Sequence, residues 1–424
     1  VFVDSGLGNA LIQKKDADDL DFSSVFWFNV VCCLALYGIV FMIAPVIAKF
    51  YKDITLIPVI RVLCITILIS GLKNVQQAYV SRTMQFKKFF FATIGGTVAS
   101  AVIGIVLAYL GFGVWAIVMQ KLVNLTIDTL VLWGTVKWRP KFIFSFERLK
   151  MLISYGWKLL ISALLDTVYT NIRQLIIGRM YTTSDLAYYN QGVKIPEMIC
   201  GNINTSIDSV LLPTMSKEQD DILRVKMMTR RAITISTYII APMMIGLAFC
   251  SDTIVTLILT EKWLPCVFFM RIFCITFMFY PIHTSNLNAI KALGRSDLFL
   301  KLEIAKKIIG IILLISTMWF GVKAMAYSML VSSLTSQIIN TFPNQKLLGY
   351  GYWEQIKDIS GSIILSICMG ICVWFVGFIT MPLVAKLVVQ VFCGVLIYLT
   401  GSYIFRIEAF EYLVNMVMVK RKNR

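Results

Sequence analysis

The chain has 424 residues, of which 58% are hydrophobic and 15% are charged, and its formal net charge is +17. A soluble domain carries about 25% charged residues, so this composition excludes an ordinary soluble protein and indicates many membrane-spanning helices. The excess of Lys and Arg does not indicate a nucleic-acid partner, because most of these residues lie in short loops between apolar segments, where the positive-inside rule places them.

The sequence begins with Val1 in the middle of an apolar pattern, so we expect residues 1–12 to be the end of a span that starts upstream. A polar loop follows at residues 13–21. Twelve candidate spans come next, each near the roughly 20 residues that cross a bilayer. They cover residues 23–48, 56–80, 88–110, 113–136, 152–178, 186–214, 231–259, 264–290, 302–320, 323–343, 359–380 and 382–405.

Loop charges predict the orientation of these spans. One set of alternate loops carries most of the loop Lys and Arg residues, and the opposite set carries few. The positive-inside rule places the rich set and the C-terminus in the cytoplasm. A missed span would scramble this alternation, so the charge pattern supports the number of spans.

A short pattern recurs after six spans. Phe112-Gly113-Val114 returns as Phe320-Gly321-Val322, and Ile103-Gly104-Ile105 returns as Ile309-Gly310-Ile311. An even number of intervening spans gives both copies the same orientation, as in parallel-repeat transporters, although chance similarity between apolar segments is the alternative. The repeat divides the chain into an N-lobe (1–137), a basic cytoplasmic linker (138–150), a C-lobe (151–346), two additional spans (347–406) and a basic cytoplasmic tail (407–424).

The span 152–178 carries three ionisable residues, Lys158, Asp166 and Arg173. At about 100° per residue, they share an arc of about 80° with other polar side chains. An ionisable group at mid-membrane costs about 2.5–3.5 kcal/mol even on a lenient scale, so three on one helix predict a polar cavity.

Other spans add comparable polar groups. The cations expected to receive substrate are Lys121, Lys158, Arg173, Lys194, Arg271, Arg61 and Lys73. The carboxylates expected to couple transport to an ion, H⁺ or Na⁺, are Asp128, Asp166, Glu197 and Asp208. The alternative for each residue is a structural ion pair, or a Lys whose ammonium reaches the membrane surface. His283, beside Pro281, fits a hydrogen-bonded kink better than a proton relay.

The motifs of enzymes and metal sites do not occur in the sequence. Ten Cys residues and one His are scattered without a CxxC pair, so we predict neither disulfides nor a metal site, and no cofactor. P-loop, HExxH and GxSxG motifs are likewise missing, so we predict no catalytic residues.

Several segments, taken in order, resemble Wzx-like polysaccharide flippases of the multidrug/oligosaccharidyl-lipid/polysaccharide exporter superfamily. They are GNALIQKKD (8–16), VFWFN (25–29), YLGFGVWA (109–116), LPTMSK (212–217), EKWLP (261–265) and GRSDLFLKLE (294–303). The resemblance implies an all-α polytopic membrane protein with two six-helix lobes around a central cavity and two further C-terminal helices. It also implies that this sequence lacks the first helix and most of the second.

The resemblance further implies a function. Members of the family move undecaprenyl-diphosphate-linked oligosaccharides from the cytoplasmic to the outer leaflet of the bacterial inner membrane, for O-antigen, capsule or exopolysaccharide, and some couple this transport to an ion. The expected partners are the lipid-linked oligosaccharide, membrane lipids, and the glycan polymerase and glycosyltransferases of the pathway. The alternatives are a cation-coupled multidrug exporter of the same superfamily, a membrane polysaccharide polymerase or ligase, and a scaffold.

Overall fold

The computed structural model describes residues 7–8, 11, 17–83, 85 and 87–422, with the side chains of residues 155–159, 162, 296 and 416–422 outside that description. The described part is almost entirely helical and contains no strand. Its helices are α1 (Asp19–Tyr51), α2 (Leu56–Leu63), α3 (Ile65–Arg82), α4 (Lys87–Tyr109), α5 (Val114–Thr135), α6 (Phe146–Met180), α7 (Thr183–Lys217), α8 (Ile222–Phe249), α9 (Ser251–Leu259), α10 (Cys266–Met278), α11 (Tyr280–Ala292), α12 (Ser296–Thr317), α13 (Val322–Leu348), α14 (Tyr352–Gly377), α15 (Leu383–Ile404) and α16 (Glu408–Lys422).

Each predicted span overlaps a helix or a pair of consecutive helices. Within the described residues, eight stretches are long and apolar enough to cross a bilayer: α1, α2–α3, α4, α5, α8, α10–α11, α14 and α15. This finding confirms a multi-pass membrane protein. Helices α6, α7, α12 and α13 carry more polar residues, so the count of twelve spans stays a prediction for these four.

Three of the predicted spans are interrupted helices. The first breaks at Cys64, where Thr66 Oγ1 donates to the Leu63 carbonyl at 2.5 Å. The second, predicted at 231–259, breaks at Cys250 between α8 and α9. The third breaks at Phe279, just before Pro281, whose ring nitrogen has no hydrogen to donate. In contrast, α7 stays continuous through Pro196 and Pro213.

The chain divides into two compact units, one extending to Ile172 and the other beginning at Arg173. This division falls inside α6, and the predicted lobe boundaries stay predictions. In the first unit, α1 packs on α2 and α3, and α5 packs on α3 and α4. Gly96 permits the close approach of α4 and α5, because an added Cβ there would lie 2.8 Å from the Asn124 carbonyl oxygen.

In the second unit, α7 packs on α10 and α11, and α14 packs on α8 and α15. The two predicted additional spans are therefore part of this unit. Arg230 near the start of α8 secures them, donating to the two carboxylate oxygens of Asp358 at 2.9 and 3.0 Å and to Glu408 at 2.9 Å. The Tyr350 hydroxyl donates to the same Asp358 at 2.8 Å.

The repeated Phe-Gly-Val pattern forms the same corner twice. Gly113 (φ 52°) immediately precedes α5, and Gly321 (φ 98°) immediately precedes α13. Positive φ is strained for residues with a Cβ, so glycine is needed at both corners. The equivalent positions in two helical hairpins support the predicted internal repeat.

Candidate polar sites in the two units

An ion pair joins two helices of the first unit. Lys73 Nζ on α3 contacts Asp128 Oδ2 on α5, and the two side chains are only 13% and 14% exposed. Lys73 and Asp128 lie on different helices, so this ion pair links two helices and is not a contact within one helix. The pair neutralises a cation predicted to receive substrate and a carboxylate predicted to couple an ion.

The other predicted residues of this unit are not brought into that pair. Lys121 is exposed and has no ion-pair partner among the described residues. Asn124 Nδ2 instead donates to Ser100 Oγ on α4 at 3.2 Å. The Arg61 guanidinium lies 4.3 Å from the ring centre of Phe41, a cation–π contact, and its buried Nε has no hydrogen-bond partner.

The three ionisable residues of α6 have different surroundings. The side chain of Lys158 lies outside the described residues, and Asp166 is exposed. Arg173 is only 4% exposed, yet its buried Nε and Nη2 atoms have no hydrogen-bond partner. A buried hydrogen-bond donor without a partner is costly, and a guanidinium forms strong hydrogen bonds with an anion. Arg173 is therefore a candidate binding residue for an anion.

Helix α7 adds further unfilled polar groups. The Oδ1 atoms of Asn190 and Asn204 are buried without a hydrogen bond. Lys194 and Glu197 are exposed and form no ion pair with any described residue. Asp208, in contrast, accepts a hydrogen bond from Asn288 Nδ2 on α11 at 2.8 Å.

Arg271 has partners outside this group. Its guanidinium pairs with Asp252 on α9 and donates to Ser251 Oγ at 3.2 Å, and its side chain is 47% exposed. These contacts satisfy the cation locally. Among the predicted cations whose side chains the structure describes, Arg173 is therefore the one that is deeply buried and has no ion-pair partner among the described residues.

The second unit contains a buried network of amide side chains that we did not predict from the sequence. Asn286 and Gln355 exchange two hydrogen bonds of 2.9 and 3.0 Å, and Asn344 Nδ2 donates to Asn286 Oδ1 at 2.7 Å. All three side chains are fully buried. A usable signal was present on α13, because Gln337, Asn340, Thr341 and Asn344 recur at helical spacing on one face.

His283 lies one turn after the helix break at Phe279. Its Nε2 is 3.4 Å from Ser333 Oγ, and its Nδ1 is 3.4 Å from Asn340 Nδ2. These contacts confirm a hydrogen-bonded residue beside a kink. None of the ten Cys residues, all of which the structure describes, forms a disulfide, and six of them are buried. In the part of the chain that the structure describes, no group of His, Cys, Asp and Glu could hold a metal ion.

The chain resembles known proteins in sequence and in fold. Residues 1–268 match the model of a family described as polysaccharide biosynthesis proteins. The chain belongs to this family. The chain is 27% identical over 304 residues to the teichuronic acid biosynthesis protein TuaB of Bacillus subtilis, covering 70% of this chain and 62% of that protein. It is 22% identical over 361 residues to the lipopolysaccharide biosynthesis protein WzxC of Escherichia coli, covering 85% and 71%.

A third relative is the succinoglycan biosynthesis transport protein ExoT of Rhizobium meliloti, 24% identical over 262 residues, which are 61% of this chain and 52% of that protein. Among solved structures, the lipid II flippase MurJ in an inward closed conformation matches with a TM-score of 0.77 and 16% identity, over 94% of this chain and 87% of that one. This match shows that the chain shares the fold of MurJ, in agreement with the predicted all-α membrane fold. The chain spans 62% of the length of TuaB. The names that state a role describe transport, in agreement with the prediction that this protein is not an enzyme.

Proposed function

We propose that this protein is a flippase that moves an undecaprenyl-diphosphate-linked oligosaccharide from the cytoplasmic to the outer leaflet, for O-antigen, capsule or exopolysaccharide synthesis. Family membership and the MurJ-like fold support this function. The observation that carries it is Arg173 on the predicted span α6, a buried cation that has no ion-pair partner among the described residues.

The chemistry of the substrate explains why such a cation is needed. Each sugar hydroxyl costs several kcal/mol to bury without a hydrogen bond, so the glycan needs a polar path. The diphosphate is anionic, and a guanidinium binds phosphate oxygens with two parallel hydrogen bonds. The polyprenyl tail is apolar and can remain in the bilayer. Arg173 supplies charge, and the unbonded amide oxygens of Asn190 and Asn204 supply acceptors for sugar hydroxyls.

The same proposal places the protein in the bacterial cytoplasmic membrane with its C-terminus inside, as the loop charges predict. The glycosyltransferases and the polymerase of the glycan pathway are its proposed functional partners. They act before and after translocation of the same substrate.

Transport against a gradient of substrate requires a driving force, for which we propose coupling to H⁺ or Na⁺. Asp166, Glu197 and Asp208 stay candidates for this role. Asp128 is the least available of the four, because Lys73 already neutralises it. Measuring transport in vesicles with an imposed proton or sodium gradient tests this proposal, and equal rates without any gradient would contradict it.

The test of the transport function uses cells that lack their own flippase. The full-length protein is expected to restore surface glycan, and the variant with Lys121, Lys158 and Arg173 all changed to Ala is expected to fail. Lys262→Ala, in an exposed loop, is the matched control and is expected to restore glycan fully. If the wild-type protein restores no glycan but raises resistance to cationic drugs, the protein is a drug exporter instead. Normal glycan from the triple variant would overturn the role of the cations.

A further inference from the structure

The segment between α5 and α6, residues 136–145, is held firmly against the first unit; we refer to it as the strap. Lys141 Nζ pairs with Asp19 at 2.6 Å, and Trp27 Nε1 donates to the Lys141 carbonyl at 2.9 Å. The backbone amides of Lys141 and Ser145 donate to Ser23 and Ser24 hydroxyls at 3.1 and 2.9 Å. The strap thus follows the start of α1 instead of crossing free solvent.

Large apolar side chains on and beside the strap are exposed. Phe142 is 92% exposed, Phe144 is 53% exposed and Phe146 at the start of α6 is 69% exposed. The strap backbone is irregular, and irregular backbone does not lie exposed to the hydrocarbon interior of a bilayer. Aromatic residues next to such backbone are typical of the membrane interface, where rings meet the acyl chains and peptide groups meet water.

These side chains border an apolar cavity of about 450 Å³. Phe142, Ile143 and Phe144 of the strap form one wall, and α1 forms the other with Trp27, Phe28 and Val31. The Trp27 and Phe142 rings stack at 4.9 Å, which fixes one end of the cavity. Beyond Val31 the α1 surface continues with exposed aliphatic side chains such as Leu34. The cavity therefore opens along the face of a membrane-spanning helix.

Three cations that lie on the strap or shortly after it in the sequence form no ion pair with a described residue. Lys137 and Lys150 are exposed, and no described residue forms an ion pair with either. Arg139 donates only to carbonyl oxygens, those of Val136 at 2.5 Å and Trp138 at 2.8 Å among them. Glu147 is the one exposed acidic residue in this short stretch of sequence. The positive charges of Lys137, Arg139 and Lys150 are thus not neutralised by a carboxylate among the described residues.

We infer that the strap is a binding site for an anionic phospholipid of the surrounding leaflet. An acyl chain occupies the apolar cavity, and the phosphate meets Lys137, Arg139 and Lys150. Basic residues beside a membrane attract anionic lipids electrostatically, and the aromatic rings supply contact with the chain. A soluble protein partner fits less well, because the cavity opens along a helix face that the bilayer covers. The inference does not depend on which substrate the protein transports.

The test measures lipids retained by the purified full-length protein. The protein is reconstituted with equal amounts of phosphatidylglycerol and phosphatidylcholine, extracted with detergent, and examined by native mass spectrometry. The wild type is expected to retain phosphatidylglycerol several-fold more than phosphatidylcholine. Changing Lys137, Arg139 and Lys150 to Gln is expected to remove this preference, and Phe142→Ser with Phe144→Ser is expected to lower retention of both lipids.

A matched triple variant, with the exposed Lys217, Lys301 and Lys357 changed to Gln, controls for net charge and is expected to keep the preference. Three results would overturn the inference: no preference in the wild type, an equal loss in the control variant, or unchanged retention in both strap variants. Capture of a soluble protein that depends on Phe142, with no retained lipid, would also overturn it and assign the surface to a protein partner. All substituted positions are exposed, so we expect every variant to fold. An unchanged elution volume in size-exclusion chromatography verifies this.

Discussion

The two units use buried charge in opposite ways. In the first unit, Lys73 and Asp128 neutralise each other across two helices. In the second unit, Arg173 is buried with two guanidinium nitrogens unbonded. From the sequence, we expected Lys73 and Arg173 to receive substrate and Asp128 to couple transport to an ion. The difference teaches that a polar face on a membrane helix becomes a candidate binding site only where folding leaves its charge without a partner.

The largest expected effect comes from breaking the neutral pair. Lys73→Met leaves the Asp128 carboxylate buried without a counter-charge, and we expect the free energy of unfolding to fall by about 3–5 kcal/mol. Thermal unfolding of the purified protein, followed by intrinsic fluorescence, measures this loss. The double variant Lys73→Met with Asp128→Leu is expected to recover most of it. Lys121→Met is the control and should leave the transition unchanged; a stable single variant would show that the pair is not structural.

The unpaired cation is expected to behave in the opposite manner. Arg173→Met removes a buried charge that forms no ion pair with a described residue, so stability is expected to stay level or rise by about 1–4 kcal/mol. Surface glycan in the complementation assay is expected to fall about tenfold, as loss of one charge-assisted contact of about 1.4 kcal/mol implies. Arg173→Lys should give an intermediate value, since Lys lacks the bidentate fork. A destabilised variant with normal glycan would make Arg173 a structural residue.

Stability without transport is the expected role of the buried amide network. Gln355→Leu removes two hydrogen bonds from the Asn286 amide group, which keeps those to Asn344 and the Ile282 carbonyl, at a cost of about 1–3 kcal/mol. We expect a lower unfolding temperature with unchanged glycan at the permissive temperature. Gln174→Leu, at an exposed position, is the control. Loss of glycan at full stability would move this network into the transport path.

The smallest effect is expected at the strap. Arg148, on α6 just after the strap, bonds Asp18 at 3.1 Å in an exposed pair, and such pairs contribute about 0.2–1 kcal/mol. The same guanidinium lies 3.3 Å from the buried carboxylate of Asp21. Arg148→Gln should speed hydrogen exchange of residues 136–145, whereas Arg224→Gln, which breaks a comparable pair with Glu218, should not. The Asp21 amide and Arg148 hold the pKa of Asp18 below its ordinary value of 3.8. The ion pair between Asp18 and Arg148 is therefore fully formed above pH 3.8 and weakens as the pH falls toward the lowered pKa of Asp18.

The helices were predictable because each apolar run ends at charges, glycine or proline. The span predicted at 113–136 is the helix Val114–Thr135, and the span predicted at 382–405 is the helix Leu383–Ile404. Local composition decides such boundaries, so a single sequence suffices. The break at Cys64 was not predictable in this way, since no proline or glycine marks it.

Partners of polar residues were less accessible to sequence reasoning. Lys73 meets Asp128 across 55 positions, and nothing in either helix alone selects that neighbour. The hydrogen bonds between the amides of Asn286 and Gln355, 69 positions apart, were not predicted, because uncharged polar residues in an apolar segment do not indicate which residue they will contact. Which charges are compensated is thus a property of tertiary packing.

The amide network also constrains how proteins of this kind gain or lose helices. Gln355 reaches Asn286 from α14, the first of the two predicted additional spans. A shorter relative ending near the position of Leu348 would leave Asn286 and Asn344 facing lipid. We therefore expect such relatives to carry aliphatic residues at both positions, so that residues 286, 344 and 355 change together in evolution.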